Sequence, residues 1–122
     1  MQTQTVRTER PWGWFDVHEE DEINPYKVKT ICIKPNHQFS LQRHTQRQEF
    51  WVVVEGDAIV TTSTYKCDVK RGDYIHIRKN EIHRMSSGEF GVKFVEVQVG
   101  SICDEEDIVR LEDDYGREKV NR

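Results

Sequence analysis

Leu41 to Gly56 reads LQRHTQRQEFWVVVEG, and Gly72 to His83 reads GDYIHIRKNEIH. Phe50 to Glu55 (FWVVVE) is a short run of aromatic and β-branched residues, apolar enough for a buried strand. Gln42 and His44 lie two residues apart, so on an extended chain their side chains leave the same face. Glu49 follows across Thr45–Gln48, directly before the apolar run. His83 comes after a further turn and the short strand Tyr74–Ile77. A closed antiparallel barrel can bring these four side chains to one point. Two imidazole nitrogens, a carboxylate and an amide oxygen suit zinc, manganese, iron, cobalt or nickel better than calcium, and zinc is the first expectation. A single carboxylate leaves a bound divalent ion with a net charge of about +1, so it remains a useful Lewis acid. His18, His37 and His76 are read as ordinary surface or hydrogen-bonded residues.

Outward from this stretch, short β-rich runs alternate with turn residues at the spacing of a sandwich or barrel. Tyr26–Ile33 (YKVKTICI) and Val92–Val99 (VKFVEVQV) alternate in polarity; Ala58–Thr64 and Tyr65–Val69 continue the meander. Turns are expected at Pro35-Asn36, Gly56-Asp57, Lys70–Asp73, Ser87-Gly88 and Gly91, and the acidic run Glu19–Glu22 reads as a solvated turn. Helical signal is confined to the tail, where Asp104 is placed to cap a short acidic helix containing Glu105 to Asp107. The expected fold is all-β, an antiparallel double-sheet barrel with a short acidic C-terminal helix or tail.

Composition narrows the function classes. At 122 residues the chain fits one domain, residues 1–122, with 35% hydrophobic and 33% charged residues. A formal net charge of −4 argues against a general binder of nucleic acid or anionic membrane, although local basic groups can still hold a small phosphate. Met1–Arg10 is polar with no apolar core after it, which reads against a secretory signal. No stretch approaches the roughly 20 apolar residues of a membrane span. Cys32, Cys67 and Cys103 are odd in number, widely separated and without a CxxC pair, which suits reduced thiols and a cytoplasmic protein.

The two quoted stretches resemble the two motifs of the cupin family. Gln42-Arg43-His44, four residues, Glu49, six residues and Gly56 match the first in spacing, with Gln in place of the first His. Gly72 and His83 match the second; Arg78 and Asn80 stand for its Pro and Gly and Ser87 for its Asn, which predicts a looser loop. The motifs occupy about residues 37–56 and 72–87, and the resemblance implies a double-stranded β-helix, or jelly-roll, barrel.

Further segments narrow the likeness. Glu9-Arg10-Pro11-Trp12-Gly13, Ser40-Leu41-Gln42-x-His44, Glu49-x-Trp51-Val52-Val53-Val54 and the stretch from Asp107 to Arg117 recur in this order in the type II mannose-6-phosphate isomerase family, which the chain resembles over roughly Glu9 to Arg117. That family's cupin domain often forms the C-terminal part of a bifunctional enzyme with mannose-1-phosphate guanylyltransferase. No Gly-rich nucleotide loop is present, so the chain is expected to be a stand-alone isomerase module with a functional link to such a transferase. The resemblance also implies the Gln-His-Glu-His metal set, reversible conversion of mannose 6-phosphate to fructose 6-phosphate through an enediolate, and a homodimer in which the strand around Arg10–Trp12 crosses to a partner.

The distal phosphate of such a substrate needs a cation, and a guanidinium can grip it with two hydrogen bonds. Arg110 is the first candidate for a catalytic or phosphate-binding role, followed by Arg117 and Lys29. Glu112 and Asp113 are weighed as bases without an assignment. The chain departs from the family where Thr45-Gln46 replaces a histidine-rich stretch and Phe50 a histidine, which points to weak turnover or another sugar phosphate. The rival readings are a noncatalytic sugar or nucleotide-sugar-binding cupin that partners a guanylyltransferase, and another metal-dependent cupin enzyme such as an epimerase or oxygenase.

Overall fold

The computed structural model describes residues 5–117. Its strands are β1 (Val6–Arg10), β2 (Gly13–Asp21), β3 (Tyr26–Ile33), β4 (Leu41–Arg43), β5 (Arg47–Thr62), β6 (Lys66–Lys70), β7 (Tyr74–Ile77), β8 (His83–Gly100) and β9 (Val109–Glu112). All belong to one antiparallel sheet in the order β1-β2-β3-β8-β4-β9, with β5 joined to β6, β7 and β8. Two long strands close it. The C-terminal half of β8 lies between β3 and the first half of β5, while its N-terminal half pairs with β4 and the second half of β5. Around Arg10–Trp12, β1 pairs with β2 of the same chain, Arg10 opposite Gly13.

Three expected turns are bends inside strands. Gly56-Asp57 does not end β5; the register against β8 shifts between Val53 and Glu55 and again between Gly56 and Ala58, so the strand turns a corner through bulges. Ser87-Gly88 and Gly91 likewise sit within β8. Glycine makes the corner possible. Gly56 has φ +81°, and a Cβ there would lie 2.2 Å from the Gly91 carbonyl oxygen. Gly56→Ala should therefore destabilise the fold by at least about 2 kcal/mol, through left-handed strain plus a backbone clash. A lowered urea midpoint at unchanged slope is the expected result; an unchanged midpoint contradicts this account of the corner.

The acidic helix expected at Glu105–Asp107 is absent, and no α-helix occurs among the described residues. Asp104 instead uses Oδ1 to accept from the Glu106 amide at 2.8 Å, an Asx turn. Asp107 sends its carboxylate to Thr45 and Gln46, which pulls the chain out of a helical path and into β9.

The barrel interior changes character along its strands. Ile31, Ile33, Trp51, Val53, Val92 and Phe94 form an apolar end. At the other end the inward positions of the same strands carry Lys27, Lys29, Arg47, Glu49, Glu96 and Gln98, all buried. Fixing that many charges inside a sheet is unfavourable unless each finds a partner or a ligand.

Candidate metal centre

The polar end gathers the ligand set. Gln42 on β4 lies directly opposite His83 on β8, and Glu49 on β5 lies opposite Gln98 of β8. His44, Glu49 and His83 are 4%, 2% and 0% exposed. One donor atom from each can be chosen so that all three lie within 4.8 Å of one another. His44 Nε2 is 3.3 Å from Glu49 Oε2, and His83 Nε2 is 3.9 Å from Glu49 Oε1. Gln42 Nε2 reaches His44 Nε2 at 3.2 Å, and Gln42 Oε1 accepts from Ser40 Oγ at 2.6 Å. Turning this amide over would aim its oxygen at the cluster, and the Ser40 hydroxyl can accept Nε2 as readily as it donates.

Backbone carbonyls orient both imidazoles. His44 Nδ1 donates to the Asp107 carbonyl at 2.6 Å, and His83 Nδ1 donates to the Glu81 carbonyl at 2.8 Å. A carbonyl can only accept, so each proton sits on Nδ1 and each Nε2 presents a lone pair to the cluster. His83 Nε2 is buried without a hydrogen-bond partner. That orphan is what a metal would satisfy.

The loop carrying His83 is well held despite its departures from the motif. Asn80 occupies the glycine position at φ 63°, a conformation asparagine tolerates better than other side chains, and its amide donates to the His44 carbonyl at 2.8 Å. Ser87 accepts from the His37 amide and donates to the Lys34 and His37 carbonyls, tying β8 to the preceding turn.

The charge states suit a cation. Burial lowers His83 to about 4 and His44 in the same direction, so both are neutral near pH 7. Burial alone would raise Glu49, but the Arg47 guanidinium, 2.8 Å from its Oε2, supplies the positive charge that keeps it ionised. Neutral imidazoles beside a carboxylate have the ligand chemistry of a divalent transition metal. A pH dependence follows for metal-free protein. An unfolded His83 takes a proton near 6.5, whereas the folded one waits until about 4. Between these values the unfolded state binds the extra proton at His83, so this residue's contribution to stability falls as pH drops through that window and changes no further below it. The loss should be on the order of 3 kcal/mol. Because the raised Glu96 carboxyl acts in the opposite sense over part of this range, the loss is read as the difference in urea midpoints between chelated wild type and chelated His83→Phe from pH 7 to 4; a pH-independent difference contradicts it.

The remaining candidates line the same pocket. Arg110 on β9 lies opposite Gln42, and its Nε is buried with no hydrogen-bond partner. Arg117 also lines the pocket but is gripped by Asp113, Nε to Oδ2 at 2.8 Å and Nη2 to Oδ1 at 3.0 Å. Lys29 is 3% exposed, its ammonium 4.0 Å from the Phe15 ring centroid and paired with Glu105. Glu112 is 69% exposed and reaches Arg84 at 3.4 Å on the outside, and Asp113 is held by Arg117, so neither is placed as a base.

Several pocket residues escaped the sequence reading. Arg47 donates through Nε to Glu49 Oε2 at 2.9 Å and through Nη1 to the Asp104 carbonyl at 2.9 Å. Glu96 accepts from Trp51 Nε1 at 3.0 Å and Gln98 Nε2 at 2.7 Å. Burial and the neighbouring Glu49 push the Glu96 carboxyl well above the ordinary range, so it keeps its proton at neutral pH. Arg47 could have been found from its parity with Glu49, and Glu96 from its place in the alternating run. The positions where the chain departs from the family's histidines do not line this pocket. Thr45 and Gln46 are exposed and bind Asp107, while Phe50 stacks on His76 at 4.6 Å and does not line the pocket.

Residues 1–113 match the family model described as mannose-6-phosphate isomerase C-terminal. The chain is 41% identical over 111 residues to the alginate biosynthesis protein AlgA of Pseudomonas aeruginosa, covering 88% of this chain and 22% of AlgA. It is 38% identical over 109 residues to the mannose-1-phosphate guanylyltransferase ManC of Salmonella typhimurium, again covering 88% of this chain and 22% of the relative. The chain thus spans 22% of the length of these two curated relatives. Oxalate decarboxylase from Bacillus subtilis superposes with TM-score 0.78 at 20% identity, covering 88% of this chain and 30% of that one. That likeness shows the cupin fold.

Proposed function

The chain belongs to the mannose-6-phosphate isomerase C-terminal family, and on that footing we propose that it is a metal-dependent aldose–ketose isomerase interconverting mannose 6-phosphate and fructose 6-phosphate. One observation carries the reading: two buried imidazoles turn their Nε2 lone pairs toward an ionised Glu49, beside the unpartnered Nε of Arg110. Gln42, His44, Glu49 and His83 would hold one divalent ion, zinc first, with manganese, iron, cobalt or nickel as alternatives. When bound, that ion supplies a Lewis acid for the negative charge that develops on the sugar's C1 and C2 oxygens.

The protein's own groups do the rest. Asp107 and Glu81 fix the imidazole tautomers through their carbonyls. Arg47 keeps the Glu49 carboxylate charged and aimed. Arg110 offers a guanidinium to the substrate, and Lys29 and Arg117 supply further positive charge for its phosphate. Asp113 presets Arg117 in place, so Arg110 is the stronger candidate for direct contact. Phe15, Ile31 and Phe39 line the pocket and limit water near the reacting carbons.

Three companion statements belong to the same proposal: a cytoplasmic setting, a homodimer, and a working link to a mannose-1-phosphate guanylyltransferase. The three free cysteines support the first. The last follows from the fused architecture of the family resembled. To test the activity, the protein is stripped with chelator and reloaded with one equivalent of zinc. Reloading should restore conversion of mannose 6-phosphate that the stripped protein lacks. If loaded protein binds the sugar phosphate without converting it, the noncatalytic sugar-binding reading replaces this one.

A further inference from the structure

Glu105 stands between two cavities. One is the metal pocket, about 80 Å³; the other, about 400 Å³, lies beyond Glu105 among Tyr26, Lys27, Ile102 and Cys103. Sites for small organic ligands usually run from about 300 to 1,000 Å³, so the metal pocket alone is small for a hexose phosphate. It is nevertheless rich in positive charge, with Arg10, Lys29, Arg47, Arg110 and Arg117 on its walls.

The Glu105 carboxylate occupies part of that cationic surface. It pairs with Lys29, whose side chain is 4% exposed, and lies 3.4 Å from Lys27. A carboxylate and a phosphate monoester make the same demand on an ammonium, so Glu105 holds the partner that a ligand phosphate would need. The segment carrying it is fastened at its ends and turned between them. Arg47 holds the Asp104 carbonyl at 2.9 Å, and Asp107 is held by Thr45 and Gln46. Glu105 and Glu106 form the turn and belong to no strand.

We propose that Glu105 is an internal stand-in for the ligand's phosphate: a phosphate monoester displaces its carboxylate from Lys29, and the side chain swings toward the larger cavity, joining the two spaces. The inference rests on the reading of Lys29 as a phosphate anchor. It also supplies a basis for selectivity. In the empty protein Glu105 keeps the buried ammonium paired, and an uncharged sugar cannot compete for it.

Calorimetric titrations of the zinc-loaded full chain test this, with mannose 6-phosphate, inorganic phosphate and mannose as probes. Glu105→Gln should bind both phosphate-bearing probes about tenfold more tightly and mannose no differently, since one charged competitor has been removed. Glu105→Asp, which draws the carboxylate back by one methylene, should give an intermediate gain and serves if the Gln variant fails to fold. In a Lys29→Met background the gain should vanish. Unchanged or weaker phosphate binding by a folded Glu105→Gln protein overturns the proposal, as does an equal gain for mannose. No turnover is required. Tightened binding without isomerisation leaves this inference standing against the isomerase reading, and turnover with unchanged binding does the reverse.

Discussion

His83→Ala and His44→Ala should each give a folded barrel that no longer retains a divalent metal through gel filtration. Outer-shell substitutions at metal sites weaken binding by about 10- to 100-fold, so loss of a direct ligand should exceed that range. Both side chains are almost fully enclosed, yet the expected effect on folding is smaller than on metal binding. His83 Nε2 is already an unpartnered buried atom, so removing the ring relieves one unfavourable group while it opens a cavity beneath Trp51 and Phe39. Undiminished metal content in both variants would sink the ligand assignment. Loss of metal with loss of the fold would instead mark the histidines as core residues; near-native thermal melts in chelator exclude that outcome.

The second large effect is expected at Arg110. Arg110→Met should lower kcat/KM for mannose 6-phosphate by about a thousandfold while metal content stays at one per chain, because the buried guanidinium has charge to offer and no partner for its Nε. Arg110→Lys should recover only a small part of this, since an ammonium cannot make the two-point contact of a guanidinium. Arg117→Lys should be milder, because Asp113 already engages that side chain from two directions. A variant at Arg110 with unchanged kcat/KM would move the catalytic role elsewhere in the pocket.

That Gln42, His44, Glu49 and His83 come together was legible because it depends on side-chain parity and turn spacing, which the sequence carries directly. Gln42 and His44 share a face wherever the chain is extended, and the Gly72 turn delivers His83 after one short strand. The inner polar row was not. Val92–Val99 alternates, and the ordinary reading sends valines inward and polar residues to water. The structure does the opposite at one end: Glu96 and Gln98 are 4% and 0% exposed, while Val99 is 40% exposed. The same holds in Tyr26–Ile33, where Lys27 and Lys29 point in ahead of Ile31 and Ile33. A strand whose inward positions pass from apolar to charged is following the barrel from its core into its pocket, and alternation alone cannot tell which face is which.

The acidic tail was misread for a related reason. Asp104 is a good helix cap in isolation, but its neighbours are committed elsewhere: Glu105 to Lys29, the Asp107 carbonyl to His44 and the Asp107 carboxylate to the Thr45-Gln46 backbone. Those bonds hold the segment across the pocket mouth, and tertiary demand overrides local propensity. The long strands β5 and β8 show the same priority. Glycines at Gly56 and Gly91 serve a barrel corner, where sequence punctuation alone suggests a chain reversal.

The most direct test of the isomerase reading is one proton NMR experiment on zinc-loaded protein with mannose 6-phosphate in deuterium oxide. Transfer of a proton between C1 and C2 predicts the appearance of fructose 6-phosphate and loss of the sugar's C2 proton signal to exchange or transfer, both abolished by chelator. A mannose 6-phosphate spectrum that stays unchanged over many hours, while titration shows the ligand bound to metal-loaded protein, would contradict it.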